Sequence, residues 1–256
     1  MRNLGSAATL VGDQRILFIF VNDNGASPWT YEFRRSVEIH ATRSLRWLEN
    51  LAALNSKSLH FKCAFAPTGA SVGCEAGCLI DENDYCAGPG HSTWQNAVIT
   101  GLVGWGTVAQ RWNELFNQYG LPLVYADGAA LFFVVRRCVP SIAFPYQEGE
   151  HDEFRMERGI IYDFGGIIEG QQHLDSHIAH EILHLYGAVD LNPKKSPHGL
   201  YRYASQDYNE VMHTPTQHEI DGYHISKLTA YLVGWQDCNP LVDDRQKDGE
   251  VSRPVS

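Results

Sequence analysis

The sequence predicts an α+β fold built on a five-stranded sheet. Short apolar runs bounded by turn-forming residues recur along the chain, as in buried strands. Longer segments between them carry apolar residues at helical spacing. With 256 residues, of which 44% are hydrophobic, the chain is long enough for one large domain or a domain with two lobes.

The predicted elements follow in order along the chain. Residues 15–21, R-I-L-F-I-F-V, are typical of a strand buried on both faces. Pro145 makes the fourth strand an edge strand, because proline cannot donate to a ladder. The five predicted strands are residues 15–21, 59–65, 130–135, 141–146 and 159–164. The predicted helices are residues 31–54, most of 94–119, a helix from 175 to 187 that Asp175 or Ser176 can cap, and one helix within 218–235.

The segment 67–92 is rich in glycine, cysteine and acidic residues and is interpreted as a long loop. A zinc site built on the cysteines is one hypothesis for this segment, but the cysteine spacing fits no standard zinc finger. A cysteine-stapled loop and a reduced loop are the alternatives. The acidic residues lack the order of a calcium-binding loop and favour a solvated face. The zinc hypothesis concerns Cys74, Cys78, Cys86 and His91. The acidic residues are Asp81, Glu82 and Asp84.

Composition excludes several classes of partner. The net charge is -10, so no basic surplus indicates nucleic acid or an anionic membrane as a partner. No apolar run reaches the length of a membrane span. The first residues are too broken by Gly, Ser and Thr to resemble a signal peptide, so we expect a cytoplasmic protein. We also expect a monomer. The six cysteines support the alternative of an exported protein with disulfides.

The strongest functional signal is the run H-E-I-L-H at residues 180–184. On a helix, His180 and His184 lie one turn apart on one face, where both imidazoles can bind one Zn²⁺. Glu181 is then placed to take a proton from a zinc-activated water. The spacing therefore predicts a catalytic zinc site for hydrolysis of an amide bond.

A catalytic zinc site usually has three protein ligands. If the helix ends at Gly187 and the chain turns back, Asp190 can approach the metal as the third ligand. The alternatives for this position are His177, His198 and His213.

The extended pattern H-E-x-x-H-x-x-G-x-x-D resembles the metzincin metallopeptidases, in the variant with Asp at the last position that the snapalysin-like members carry. Residues 209–213, N-E-V-M-H, resemble the methionine turn of that clan. The resemblance implies a zinc-dependent endopeptidase with one catalytic Zn²⁺, Glu181 as general base and a protein or peptide substrate. Met212 would lie beneath the metal as an apolar base; the alternative is an ordinary core methionine.

The order of elements is also similar to the N-terminal subdomain of that clan. It implies an α/β-like lobe with a twisted mixed sheet, an antiparallel edge strand, two long helices and the active-site helix, followed by a small irregular lobe with one helix. The subdomains would be residues 1–187, with an insertion at 67–119, and 188–242; the tail 243–256 is predicted to be disordered. Some members have a tyrosine two residues after the methionine, where this chain has Thr214, which leaves Tyr208 or Tyr223 as candidates.

Two further hypotheses concern access to the site. The edge strand around Ala143 and Phe144 can pair with an extended substrate, unless the polar connector 147–153 covers it. The alternative function is a zinc-binding protein without turnover, or a latent peptidase, whose cleft is blocked by the insertion or by a cysteine.

Overall fold

The chain folds around one mixed sheet flanked by helices, which confirms the α+β prediction. The computed structural model describes residues 9–24, 28–68, 72–76, 80, 93–137, 141–146, 156–162, 173–192, 207–213, 215, 219–237 and 240. The strands are β1 Gly12–Asn22, β2 Leu59–Ala66, β3 Cys74–Glu75, β4 Gly128–Val135, β5 Ile142–Phe144 and β6 Glu157–Tyr162. The helices are α1 Tyr31–Leu54, α2 Thr93–Val103, α3 Val108–Gln118, α4 Leu174–Leu185 and α5 Lys227–Leu232.

The strand order is β2-β1-β4-β6-β5, and β5 is the antiparallel edge strand. The other pairings are parallel. The sequence predicted five strands, and the sixth is β3, in the segment interpreted as a loop. Strand β2 ends at Ala66 opposite Ile19, and β3 pairs with Val21 and Asn22 of β1 beyond that point. Two residues in a glycine-rich segment carry too little pattern to predict a strand.

Helices cover both faces of the sheet, because successive side chains of a strand point to opposite faces. The face that packs against α1 and α4 carries Ile16, Phe18, Phe20, Ala130, Phe132 and Val134. The face that packs against α2 and α3 carries Leu17, Ile19, Val21, Leu131, Phe133 and Val135. Burial of each such apolar side chain stabilises the fold by about 1.5–3 kcal/mol. The helices of the predicted insertion thus lie across the sheet from α4, which holds the H-E-I-L-H run.

Three helices differ from their predicted bounds for local reasons. The segment predicted to be mostly helical at 94–119 is two helices, because Gly104 has a φ of 77° that ends α2. Thr107 then starts α3 with a capping box to Gln110. The last helix is only Lys227–Leu232, because Ser226 caps it and a separate 3₁₀ turn, Ile220–Gly222, precedes it.

Cys63 and Cys74 are free, half-buried thiols. They pack on opposite faces of the sheet, Cys63 with the cluster around α1 and Cys74 with the cluster around α2 and α3. The other four cysteines, the proposed acidic loop and the 243–256 tail lie outside the described residues. Within the described part of the chain, no helix is long and apolar enough to cross a membrane. The boundary between the two predicted subdomains stays a prediction.

Candidate metal centre

Helix α4 is fixed at its start by α1. The prediction that Asp175 or Ser176 caps it is wrong: the helix begins at Leu174, and His173 makes no side-chain capping bond. The Asp175 carboxylate accepts the Ser176 N–H through Oδ1 at 3.0 Å and lies 3.3 Å from Arg43 Nη1 through Oδ2, and the Asp175 carbonyl accepts a 2.6 Å hydrogen bond from Ser44 Oγ. Contacts with α1 therefore hold the start of the helix.

The apolar stripe of α4 sets which face the histidines occupy. Ile178, Ile182 and Leu185 are fully buried in the cluster shared with α1 and the sheet. With 3.6 residues per turn, this stripe directs His180 and His184 to a neighbouring face. The i, i+4, i+7 spacing of these three apolar residues thus forms the face of α4 that packs.

Gly187 turns the chain back towards the helix. Its φ of 94° lies in a region that L side chains rarely adopt. Gly187 N–H donates to His184 O at 3.0 Å, and Ala188 N–H donates to Leu183 O at 3.1 Å. These two bonds form a Schellman motif, which ends the helix and satisfies its last carbonyls. Asp190 follows three residues later and returns to the histidine face.

The turn brings three possible metal ligands together. His180 Nε2 and His184 Nε2 are 3.0 Å apart. Asp190 Oδ1 lies 3.4 Å from His180 Nε2 and 3.7 Å from His184 Nε2. One ligand atom from each residue lies within 4.8 Å of the others, and this is the only such group of three among the described residues.

Both imidazoles are anchored through their other nitrogen. His180 Nδ1 lies 3.0 Å from Val211 O, and His184 Nδ1 lies 2.9 Å from Ala188 O. A carbonyl oxygen only accepts, so we infer that each Nδ1 carries the proton and each Nε2 is an acceptor. Two Nε2 acceptors and a carboxylate oxygen then face one point, where a cation can satisfy all three.

This donor set fits zinc. Two imidazole nitrogens and one carboxylate oxygen are a known combination for catalytic zinc, and anchored Nδ1 atoms are the usual support of metal-binding histidines. Glu181 follows the first histidine, His180, and only 5% of the residue is exposed. His184 and Asp190 are more open, with side-chain exposures of 20% and 25%. The cluster is thus buried on the helix side and accessible from the other.

The electrostatics of the cluster favour positive charge. Burial lowers the pKa of His184, but hydrogen bonding and charge from Asp190 and the charge of Glu181 outweigh it, and the pKa is raised. Burial raises the pKa of Asp190, but its interactions with His180 and His184 outweigh burial, and the pKa lies well below its usual range. An ionised carboxylate at this point attracts a cation.

Of the other candidates for the third ligand, His177 and His213 are described, and neither joins the cluster. Burial lowers the pKa of His177 to about 4, so its imidazole is neutral at pH 7. His213 is buried, and its ring contacts that of Tyr208 with centroids 5.0 Å apart. His198 and Thr214 lie outside the described residues. Tyr208 is largely exposed and Tyr223 is packed in the core around α1 and α4.

Met212 lies in a tight turn beside the cluster. Its side chain is 0% exposed and packs in the same apolar cluster as α4. Its carbonyl accepts a 2.8 Å hydrogen bond from Leu191 N–H, directly after Asp190. The preceding residue, Val211, supplies the carbonyl that anchors His180. The role of Met212 as a methionine turn stays a prediction, and the position of the turn is compatible with it.

The edge strand β5 contains Ala143 and Phe144, as the sequence predicted. Among the strands of the described residues it pairs with β6 alone; it is half-buried and also lies against α4. Phe144 is covered by the Arg158 guanidinium, 4.9 Å from its ring centroid. The polar connector 147–153 lies outside the described residues, so its suggested cover of this edge stays a hypothesis.

Sequence reasoning missed the groups that orient the histidines. The carbonyls of Val211 and Ala188 have no sequence signature, because every residue has one. It also missed Glu210, a buried carboxylate two residues before Met212. The position of Glu210 directly before Val211 and Met212 in the predicted turn was the available signal.

Fold and site together define an α+β protein with a candidate His-His-Asp metal centre on the helix that flanks its sheet. No protein-family model matches the chain, and no curated protein matches it either. The likeness to metzincins therefore stays a resemblance carried by the pattern at residues 180–190 and by Met212.

Proposed function

We propose that this protein is a zinc-dependent metallopeptidase that hydrolyses peptide bonds with Glu181 as general base. The observation that carries the proposal is the convergence of His180, His184 and Asp190 on one point, with both Nδ1 atoms turned to carbonyls. Three ligands with one side open are typical of catalytic zinc, whereas structural zinc sites are closed by four.

Bound zinc would supply Lewis acidity, which polarises a substrate carbonyl and lowers the pKa of water. The protein would supply the rest. Glu181, which is 5% exposed and follows His180 on α4, would take a proton from the attacking water and pass it to the leaving amine nitrogen. The helix fixes Glu181 next to His180, so base and ligand would keep a constant distance.

The open side of the cluster supports a polymeric substrate. Strand β5 lies beside α4 as an edge strand, so an extended peptide could add to it by backbone hydrogen bonds. We therefore propose a protein or peptide substrate that lies along Ala143 and Phe144. A net charge of -10 gives no support to nucleic acid as substrate.

The described residues give no support to a blocked site. Helices α2 and α3 of the insertion pack on the opposite face of the sheet from α4. Burial raises the pKa of Cys74 to about 11, so it is a thiol at neutral pH, and it packs on that same opposite face. Cys74 is therefore a poor candidate for a thiolate that blocks the zinc.

The test compares two variants of the full chain after loading with zinc. Glu181→Gln should keep one zinc per chain and lose turnover of unstructured peptides by about 100-fold or more, because it removes the general base. Asp190→Ala should lose zinc on dialysis, read by metal analysis. Glu38→Gln on α1 and Asp127→Ala, whose carboxylate binds Asp13 N–H, are the controls away from the cluster.

The expected result is that only the two site variants are affected, each in its own readout. Unchanged turnover in Glu181→Gln would refute the general-base mechanism. Full zinc stoichiometry in Asp190→Ala would show that another residue is the third ligand.

A further inference from the structure

A second carboxylate, Glu210, is buried close to the cluster but is not part of it. It is 2% exposed and accepts hydrogen bonds from two segments. From its own turn it accepts Met212 N–H at 3.4 Å. From the start of α5 it accepts Thr229 Oγ at 2.9 Å and the Ser226 backbone N–H. One side chain thus ties the turn at residues 210–213 to the helix that follows.

The turn held by Glu210 is the turn that orients His180. Val211 O accepts from His180 Nδ1 at 3.0 Å, and Val211 N–H donates to His224 O at 3.1 Å. Glu210 and His224 also form a backbone bridge. A displacement of this turn would move the acceptor of His180, while the acceptor of His184, the Ala188 carbonyl, belongs to the separate turn after α4.

A carboxylate suits this position better than an apolar side chain. The two oxygens of the Glu210 carboxylate accept from three donors. A buried N–H group left without an acceptor would lower the unfolding free energy by about 1–3 kcal/mol. The nearby titratable groups are His224, which pairs with Asp207 at 2.7 Å, and His213 in the turn. Burial raises the pKa of Glu210 to about 7, although the hydrogen bonds from Thr229, Ser226 and Met212 oppose this.

We propose that Glu210 is a positioning residue for the metal centre: it clamps the turn to the start of α5 and so holds the Val211 carbonyl that orients His180. The inference rests on the proposed metal-binding role of His180. It adds a residue that touches neither metal nor substrate but fixes how one ligand faces the metal.

The test reads the imidazole of His180 directly. In the full chain without metal, NMR should show slowly exchanging Nδ1–H protons for His180 and His184. In Glu210→Ala the His180 signal should exchange faster or disappear, while the His184 signal stays unchanged as an internal control. Zinc affinity should fall by about tenfold, the lower end of the range for losing a residue that supports a metal ligand.

Three further variants complete the design. Glu210→Gln keeps one oxygen acceptor and should restore part of the zinc affinity. Thr229→Val removes one donor at nearly constant volume and should shift the His180 signal in the same direction by less, even if Glu210→Ala does not fold. Glu157→Gln, another buried glutamate that accepts a backbone N–H, from Tyr146, should leave zinc affinity and both histidine signals unchanged.

The proposal is overturned if Glu210→Ala or Thr229→Val leaves the His180 signal as it is, or if both histidines change together as in general loosening. Failure of the metallopeptidase function gives a different result: the wild-type chain would bind no zinc or cleave no peptide, while the His180 signal would still depend on Glu210.

Discussion

Replacing Gly187 by alanine tests whether the turn after α4 builds the site. Gly187 has a φ of 94°, and a residue with a Cβ pays about 1–2 kcal/mol in the left-handed region. The turn carries the Ala188 carbonyl that anchors His184 and leads to Asp190. If the metal-free chain relieves this strain by opening the turn, zinc binding must restore it. The same 1–2 kcal/mol then weakens zinc affinity by about 5- to 30-fold.

The chain offers a matched control in Gly120. It ends α3 with a φ of 71° and the same two hydrogen bonds, Gly120 N–H to Asn117 O and Leu121 N–H to Phe116 O. A Cβ at Gly120 meets nothing within 4 Å, so Gly120→Ala measures the backbone cost alone. It lies at the end of α3, across the sheet from the cluster, so zinc affinity should not change.

The assay is denaturant unfolding of the metal-free chains, followed by competition for zinc with a chelator of known affinity. Gly120→Ala should lose about 1–2 kcal/mol of unfolding free energy, whereas metal-free Gly187→Ala should lose clearly less, because opening of its turn relieves the strain. Only Gly187→Ala should bind zinc more weakly. Equal zinc affinity in wild type and Gly187→Ala, at a loss of stability clearly smaller than that of Gly120→Ala, would refute the idea that this turn delivers the ligands.

Two other predictions concern groups outside the cluster. Ser44→Ala should lower the unfolding free energy by about 1 kcal/mol in denaturant titration, because the hydroxyl that links α1 to the Asp175 carbonyl is lost; an unchanged midpoint would show that this contact does not hold α4. Burial raises the pKa of Cys74 from 9.0 to about 11, so its thiolate fraction at pH 8 should fall by about 100-fold relative to the unfolded chain. Alkylation followed by peptide mass spectrometry should show Cys74 reacting that much more slowly in the native state, and equal rates in both states would contradict the burial argument.

The predictable parts of the fold are those with a long or repeated apolar pattern. Helix α1 agrees with its predicted bounds, because Val37, Ala41, Leu45 and Leu48 mark one face over about three turns. Strands β1 and β4 are longer by only a few residues than their apolar runs. The short strand β3 and the break at Gly104 were not predicted as such, because each depends on what a neighbouring segment leaves unpaired or on one backbone angle.

The same distinction applies to the site. The i, i+4 spacing of His180 and His184 and the glycine three residues later are local, so the sequence predicts that they and Asp190 come together. The contacts that hold these elements in place are not local, so the sequence does not predict them. That Asp175 also binds Arg43 of α1 follows from the packing of the two helices, which local sequence does not reveal.

The two histidines depend on supports of unequal range, and this sets the order in which the site can assemble. His184 is anchored four residues on, within the turn that also carries Asp190, so these two groups are placed as soon as α4 and its turn form. His180 is anchored 31 residues on, at Val211, which requires the turn at 210–213 to dock. Loop closure over that distance costs more entropy than a local turn, so His180 is the ligand whose orientation is least secured by local structure. A buried carboxylate that ties this turn to α5 therefore acts at the one ligand that α4 alone cannot orient.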